Sequence, residues 1–322
     1  MSRRHLSAAV LAALLIAPSS AFATFSILAR DPATGQIGAA VQSHWFQVSG
    51  VIWVEPEVGA VATQSLADFT YGPAALDLLR LGRSASKTLE GLLASDTSPE
   101  VRQVAILDAD GEIVAHTGAK CIANASHIVG KDYSVEANLM EKDTVPKAMS
   151  EAFESAKGDL ATRLLAALDA AQAQGGDIRG QQSAALIVVG PKNTGRPWAD
   201  RIFDLRVDDS DHPLKELRRL VDVARAYNAM NDGDAAIEKG DFAAAETHYG
   251  DAMKGAAGNP EPTFWYAVAL ANKGRVDEAV KLLPKVYAIE PRFRQLPARL
   301  AVAGLLPSDP KLIERLEKAP KR

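Results

Sequence analysis

Two apolar runs, residues 24–30 and 36–42, flank the turn Asp31-Pro32-Ala33-Thr34-Gly35, and together they read as a β-hairpin. Alternation places Thr24, Ser26 and Leu28 on one face of the first strand and Phe25, Ile27 and Ala29 on the other. Neither face is strongly polar. A hairpin without a wet face suits a sheet covered on both sides. The chain can supply the cover, since 47% of its 322 residues are hydrophobic and 24% charged.

The segments that follow fit such a layered domain. Residues 51–54 and 60–64 form a second strand pair around Glu55-Pro56-Glu57 and Gly59. A helix over 73–81 starts near Pro73 and stops at Gly82, and Ser84 can cap another that runs to Ala94. Strands at 102–107 and 112–116 turn through Asp108-Ala109-Asp110-Gly111. Residues 117–132 read as a loop before a strand at 133–139. Helices over 145–155 and 160–174 end at Gly175-Gly176, and the last strands are 183–189 and 201–207. Hairpins bracketing helix pairs predict an α+β domain over 24–208, with two stacked sheets and helices outside. No glycine-rich phosphate loop of the GxGxxG or GKS type occurs.

Past Asp208-Asp209-Ser210-Asp211-His212-Pro213 the sequence becomes alanine-rich with no strand pattern, which predicts a small all-α domain over 213–322. Lys239-Gly240-Asp241-Phe242-x-x-Ala245 recurs as Lys273-Gly274-Arg275-Val276-x-x-Ala279, a period of 34 residues between Gly240 and Gly274. That period is the one of the tetratricopeptide repeat, and Tyr249, Ala252, Leu283 and Pro291 fall at its large, small and proline positions. Two units are fewer than the ~3 such arrays need, so helices at 214–230 and 297–305 are expected to cap them. An ordinary bundle of α-hairpins is the alternative.

The N-terminus carries Arg3 and Arg4, an apolar run over 6–17, a Pro18-Ser19-Ser20 break and the small-residue site Ala21-x-Ala23. This is the pattern of a cleavable export signal over 1–23, too short to span a bilayer, and it implies a periplasmic or secreted protein. Removing it takes Arg3 and Arg4 and no acid, moving the net charge from −4 to −6. With no Lys/Arg run before the tail 318–322, nucleic acid is not an expected partner. No later segment reads as a membrane span. Cys121, the single cysteine, cannot form an intramolecular disulfide.

A cut after Ala23 would expose the α-amine of Thr24 beside its own hydroxyl. Threonine alone is a weak nucleophile, but an N-terminal amine, with a pKa of ~7.7–8.0, can accept its proton. Thr24 is therefore the candidate nucleophile.

The chain resembles the bacterial family of unknown function DUF1028. The resemblance rests on residues 24–32 (Thr-Phe-Ser-Ile-Leu-Ala-Arg-Asp-Pro), 58–64 (Val-Gly-Ala-Val-Ala-Thr-Gln), Tyr71-Gly72-Pro73 and His116-Thr117-Gly118. Further on, it includes Cys121, His127, Asn138 and the block from Gly175 to Leu186. It implies an αββα sandwich of the N-terminal nucleophile (Ntn) hydrolases and acyl transfer at Thr24, with no known substrate. Two departures bear on the pocket: Glu136-Ala137 precede Asn138 where Gln-Gly is usual, and Asn124 replaces an aromatic. No lysine occurs in 36–70, which argues against a proteasome-like peptidase.

Asn138 is the first candidate for an oxyanion donor, or else a strand-end amide; Gln64 and Ser183 are weaker candidates of the same kind. Asp177 and Arg179 lie in a glycine-rich loop and suit a substrate amine or carboxylate, or a loop ion pair. His116 and His127 are candidate pocket residues, and His44-Trp45-Phe46 a candidate wall. The spacing of His116, Cys121 and His127 fits no standard zinc site, so neither metal nor cofactor is expected. Two functions follow: a hydrolase of small amide or peptide-like substrates, or a non-catalytic periplasmic binding or assembly protein. The repeats favour a protein partner in either case, and the oligomeric state stays open.

Overall fold

The computed structural model describes residues 23–256 and 258–319. The leader pattern up to residue 22 lies outside them. By their contacts the residues divide into two compact units, one ending at Leu214 and one beginning at Lys215.

The first unit contains β1 (Thr24–Arg30), β2 (Ile37–Ser43), β3 (Ile52–Glu55), β4 (Gly59–Ser65), α1 (Tyr71–Arg80), α2 (Ala85–Ser95), β5 (Arg102–Asp108) and β6 (Ile113–Thr117). It continues with β7 (Ser126–Gly130), β8 (Tyr133–Asn138), α3 (Val145–Ser155), α4 (Leu160–Ala173), β9 (Ser183–Val189), α5 (Pro197–Asp200) and β10 (Arg201–Val207). Two antiparallel sheets result, one ordered β10-β9-β2-β1-β8-β7 and the other β3-β4-β5-β6. α3 and α4 pack on the outside of the first sheet, and α1 and α2 on the outside of the second. The order of layers is α, β, β, α.

β1 therefore lies inside the larger sheet with both faces covered, as its two apolar faces require; six of its seven residues are buried. Its inward face joins Leu28, Ala39, Val41, Ala62, Ala105 and Leu107 in the core between the sheets. The small residues let the sheets approach closely. Outside the second sheet, Val61, Val104 and Ile106 meet Tyr71, Leu76 and Leu79 of α1 and Leu89 of α2. Ser84 caps α2 by accepting from the Lys87 amide, and Asp159 caps α4 by accepting from that of Thr162.

One strand departs from the sequence expectation. β7 falls within the stretch expected to be a loop. It is a five-residue edge strand whose residues are all at least partly exposed, so it carries little apolar signal; a turn with Asp132 at positive φ folds it back on β8.

The second unit is helical: α6 (Pro213–Glu238), α7 (Phe242–Gly255), α8 (Glu261–Asn272), α9 (Val276–Ile289), α10 (Leu296–Val302) and α11 (Pro310–Glu317). Gly240 and Gly274 occupy the left-handed region at equivalent turns, after α6 and α8, as the 34-residue period requires. Tyr249 is fully buried, stacks on Tyr266 with centroids 4.5 Å apart, and lies so close to Gly233 that a Cβ there would be 2.7 Å from its ring. This unit has its own core, from Ala236 to Ala319.

Gly59, at the start of β4, has φ +151° and no room for a side chain, because an added Cβ would lie 2.1 Å from the Leu107 carbonyl oxygen. Gly59→Ala is expected to destabilise the first unit by about 2 kcal/mol or more, read as a lower urea midpoint. An unchanged midpoint would contradict this packing.

Candidate functional site

Strand register gathers polar side chains at one end of the larger sheet. Thr24 of β1 is paired with Ser43 of β2 on one side and with Asn138 of β8 on the other, and Ser43 is paired in turn with Ser183 of β9. Directly opposed residues share a face, so this row points toward the smaller sheet. There Gln64 of β4 and Gln103 of β5, also paired partners, point back at it. Thr24, Ser43, Gln64 and Gln103 have no exposed surface, and Asn138 only 1%.

Buried polar groups must be paired, and these are. The Thr24 carbonyl accepts from Gln64 Nε2 at 3.3 Å and Asn138 Nδ2 at 3.4 Å. Both amides also donate to Gln103 Oε1, at 2.7 and 3.1 Å. Gln103 Nε2 donates to Thr117 Oγ1 at 2.9 Å and to the carbonyls of Ala137 and Ser126. The Thr24 hydroxyl donates to Ser43 Oγ at 3.3 Å. Ser43 Oγ donates to the Ala23 carbonyl, which also accepts from Arg179 Nη2 at 3.1 Å. Ala23 and Thr24 are thus held from both sheets and from the loop after α4.

The expected site residues separate into distinct groups. Gln64 and Asn138 both touch Thr24, but the two amide hydrogens of Asn138 are directed to the Thr24 carbonyl and Gln103. In this arrangement Asn138 positions the strand end. Asp177 and Arg179 join the site as a pair: Asp177, whose side chain is fully buried, accepts from Arg179 Nε at 3.2 Å and Nη2 at 3.0 Å, and from the His44 amide at 2.8 Å. That pairing aims the guanidinium at Ala23. His127 is linked more remotely, its Nδ1 lying 2.8 Å from Thr117 Oγ1. Burial, with the nearby His116 as a smaller cause, holds its imidazole below the usual range.

Two candidates lie apart. Ser183 accepts from the Val48 amide at 3.0 Å and donates to the Trp45 carbonyl, bracing the loop that carries His44, Trp45 and Phe46. His116 pairs with Val104, an outward residue of β5, and its Nε2 is 2.9 Å from the Pro99 carbonyl. Cys121 is half-buried, its thiol 3.3 Å from the Arg102 carbonyl oxygen. Among the described residues no group of three His, Cys, Asp or Glu side chains could hold a metal ion. No helix among them is long and apolar enough to cross a membrane.

Ser43 and Gln103 carry no signal in the sequence motifs, while Thr117 stands out only within the His116-Thr117-Gly118 motif and Glu136 only as a departure from the usual glutamine. Ser43 lies one residue beyond the expected second strand and becomes visible only when the hairpin register is extended to Thr24. Gln103 and Glu136 are polar residues within predicted strands, which was a usable signal.

Residues 24–217 match the family of unknown function DUF1028. The chain belongs to that family. Residues 236–300 match the tetratricopeptide repeat. A solved relative, protein SPO2555 from Silicibacter pomeroyi, is also described as DUF1028; it is 31% identical, with a TM-score of 0.56 over 62% of this chain and 87% of that one. No curated protein matches.

Glu136 is the most unusual group in the DUF1028 domain. It is fully buried, paired with Ser26 across β1 and β8, and burial pushes its carboxyl from 4.5 to about 7 despite hydrogen bonds with Ser134 and Ser26. Hydrogen-bond directions explain the preference. Ser26 Oγ is 2.7 Å from Gln64 Oε1 and 2.9 Å from Glu136 Oε2, and one hydroxyl hydrogen cannot serve two acceptors. A proton on Glu136 resolves this, donating to Ser26, which then donates to Gln64. Protonated Glu136 has the shape of the glutamine expected at this position.

A folded-state pKa raised above the unfolded value gives stability that is full below about pH 4.5 and lost as pH rises through about 7. Glu136→Gln should abolish that loss. The variant is expected to gain roughly 3 kcal/mol on wild type between about pH 4.5 and pH 8, measured by urea unfolding across pH. Parallel pH profiles would show that Glu136 is charged and paired in some other way.

Proposed function

We propose that this DUF1028 protein is an exported amide hydrolase of the N-terminal nucleophile kind, with Thr24 as the nucleophile. The observation that carries this reading is the position of Thr24: it is fully buried at the first residue of a central strand, directly after the residue that ends a leader pattern, with its hydroxyl directed to Ser43 and its carbonyl held by Gln64 and Asn138. Such a position preorganises a reacting group.

After a cut between Ala23 and Thr24, the free amine takes the proton from Oγ1 as that oxygen attacks an amide carbonyl carbon. The carbonyl π pair moves to its oxygen. Collapse re-forms the carbonyl and breaks the C–N bond, and the leaving amine takes the proton held by the ammonium. Water, activated by the same amine, then releases the acid and restores the hydroxyl. Small amides or peptide-like compounds are the substrate class.

A second reading, a periplasmic binding or assembly protein with an inactive first unit, is supported by the tetratricopeptide match. Intact mass and turnover separate the two. The hydrolase reading expects the exported protein to start at Thr24 and Thr24→Ala to lose about 10³-fold or more of its turnover of an amide library. A chain that starts elsewhere, or equal turnover in the variant, would sink it.

A further inference from the structure

We infer that Ser43 and Arg179 are the donors that hold the substrate's acyl oxygen, an inference that rests on Thr24 being the nucleophile. The Ala23 carbonyl is the carbonyl nearest to Thr24 N, and it accepts two side-chain donors, Ser43 Oγ and Arg179 Nη2. It stands where the acyl carbonyl of a substrate must lie. The nitrogen and Oγ1 of one threonine can both reach a single carbonyl carbon, because bridging them closes a five-membered ring. A substrate whose carbonyl oxygen takes the place of Ala23's, with its carbon displaced from the nitrogen toward Oγ1, is therefore within reach of the nucleophile, and its oxygen meets the same two donors.

Both donors are fixed before any substrate arrives. Ser43 is fully buried and paired on either side, with Thr24 of β1 and Ser183 of β9. Arg179 is 29% exposed in its side chain, yet it is locked by Asp177, whose side chain is fully buried and whose Oδ2 also accepts from the His44 amide. The loop from Gly175 to Gly180 has φ +108° at Gly175, +64° at Gly176 and +116° at Gly180, which brings the Asp177–Arg179 pair back over the end of β1. Donors preorganised in this way contribute most as negative charge develops on the oxygen. Asp177 balances the guanidinium in the resting state, so the site discriminates for charge that forms during reaction over a free carboxylate.

Gln64 and Asn138 hold the Thr24 carbonyl, on the far side of the residue from its nitrogen. They fix the nucleophile, and Ser43 and Arg179 receive the charge. During attack by Thr24 Oγ1 the π pair of the substrate carbonyl moves to an oxygen hydrogen-bonded to these two, and returns on collapse.

The test uses the full chain, exported with its own leader and confirmed by intact mass to begin at Thr24. Two probes suffice: 4-nitrophenyl acetate, for acylation of Thr24 read by nitrophenolate release and peptide mass, and phenylboronic acid, whose tetrahedral adduct on Thr24 carries an oxygen in the oxyanion position. Ser43→Ala and Arg179→Gln should each slow acylation by about 100-fold or more and weaken the boronate in step. Ser43→Ala removes one buried oxygen and leaves the Asp177 pair intact, so it reports even where the arginine variant folds poorly. Wild-type acylation rates and boronate affinity in a folded Ser43→Ala protein would overturn the cradle alone. Absence of Thr24 acylation in the wild type would overturn the nucleophile reading and the cradle with it.

Discussion

The burial of Thr24 at the head of a strand covered on both faces is the constraint from which the site follows. A strand end in the interior cannot leave its hydroxyl and carbonyl to water, and an unpaired buried polar group costs on the order of 1–3 kcal/mol. The surrounding strands answer with polar residues at the matching register: Ser43 beside it in β2, Asn138 in β8, and Gln64 and Gln103 across the gap between the sheets. Away from this end, the same inward face is filled by Leu28, Ala39, Val41 and Ala185. The change from apolar to polar along one face is what separates core from site.

Ser26 shows why the hydroxyl at the strand end is the one to single out. It lies on the same face of β1 and is equally buried, but it stands between Gln64 and Glu136, with an acceptor on either side. Its hydrogen-bond partners make it a link in a chain of donors that runs from Glu136 to Gln64 and ends at the Thr24 carbonyl. It has no free amine of its own to receive its proton during attack. Position in the network, more than residue type, distinguishes the two hydroxyls.

Much of this was legible in the residues. The two-sided hairpin predicted a covered sheet, and the turn residues located nearly all the strands and helices, because strand ends and helix caps are local chemistry. β7 escaped because an edge strand exposed along its length has neither alternation nor a buried run. Of the candidate site, the position of Thr24 was legible from the chain itself, and the Asp177–Arg179 pair from a cluster of distinctive residues. Ser43 was not, since its role comes from pairing with Thr24 across a hairpin whose end lay one residue further than the pattern suggested. Sequence identified Asn138 as a donor but could not say to which acceptor; that depends on β1 and β8 lying side by side with Gln103 opposite.

Every side chain in the hydrogen-bond network described around Thr24, from Ser26 to Arg179, belongs to the first unit, while the second builds its core around Tyr249, Phe264, Leu283 and Tyr287. The end of α6 is the first helix of the first repeat, its earlier turns precede the repeats, and α10 and α11 follow them, with Leu300, Leu312 and Leu316 from these last helices entering the same core. A two-unit array lacks enough buried surface of its own, so these flanking helices supply the missing neighbours. The 34-residue period therefore sets the shape of the unit, and its atypical ends make it stable.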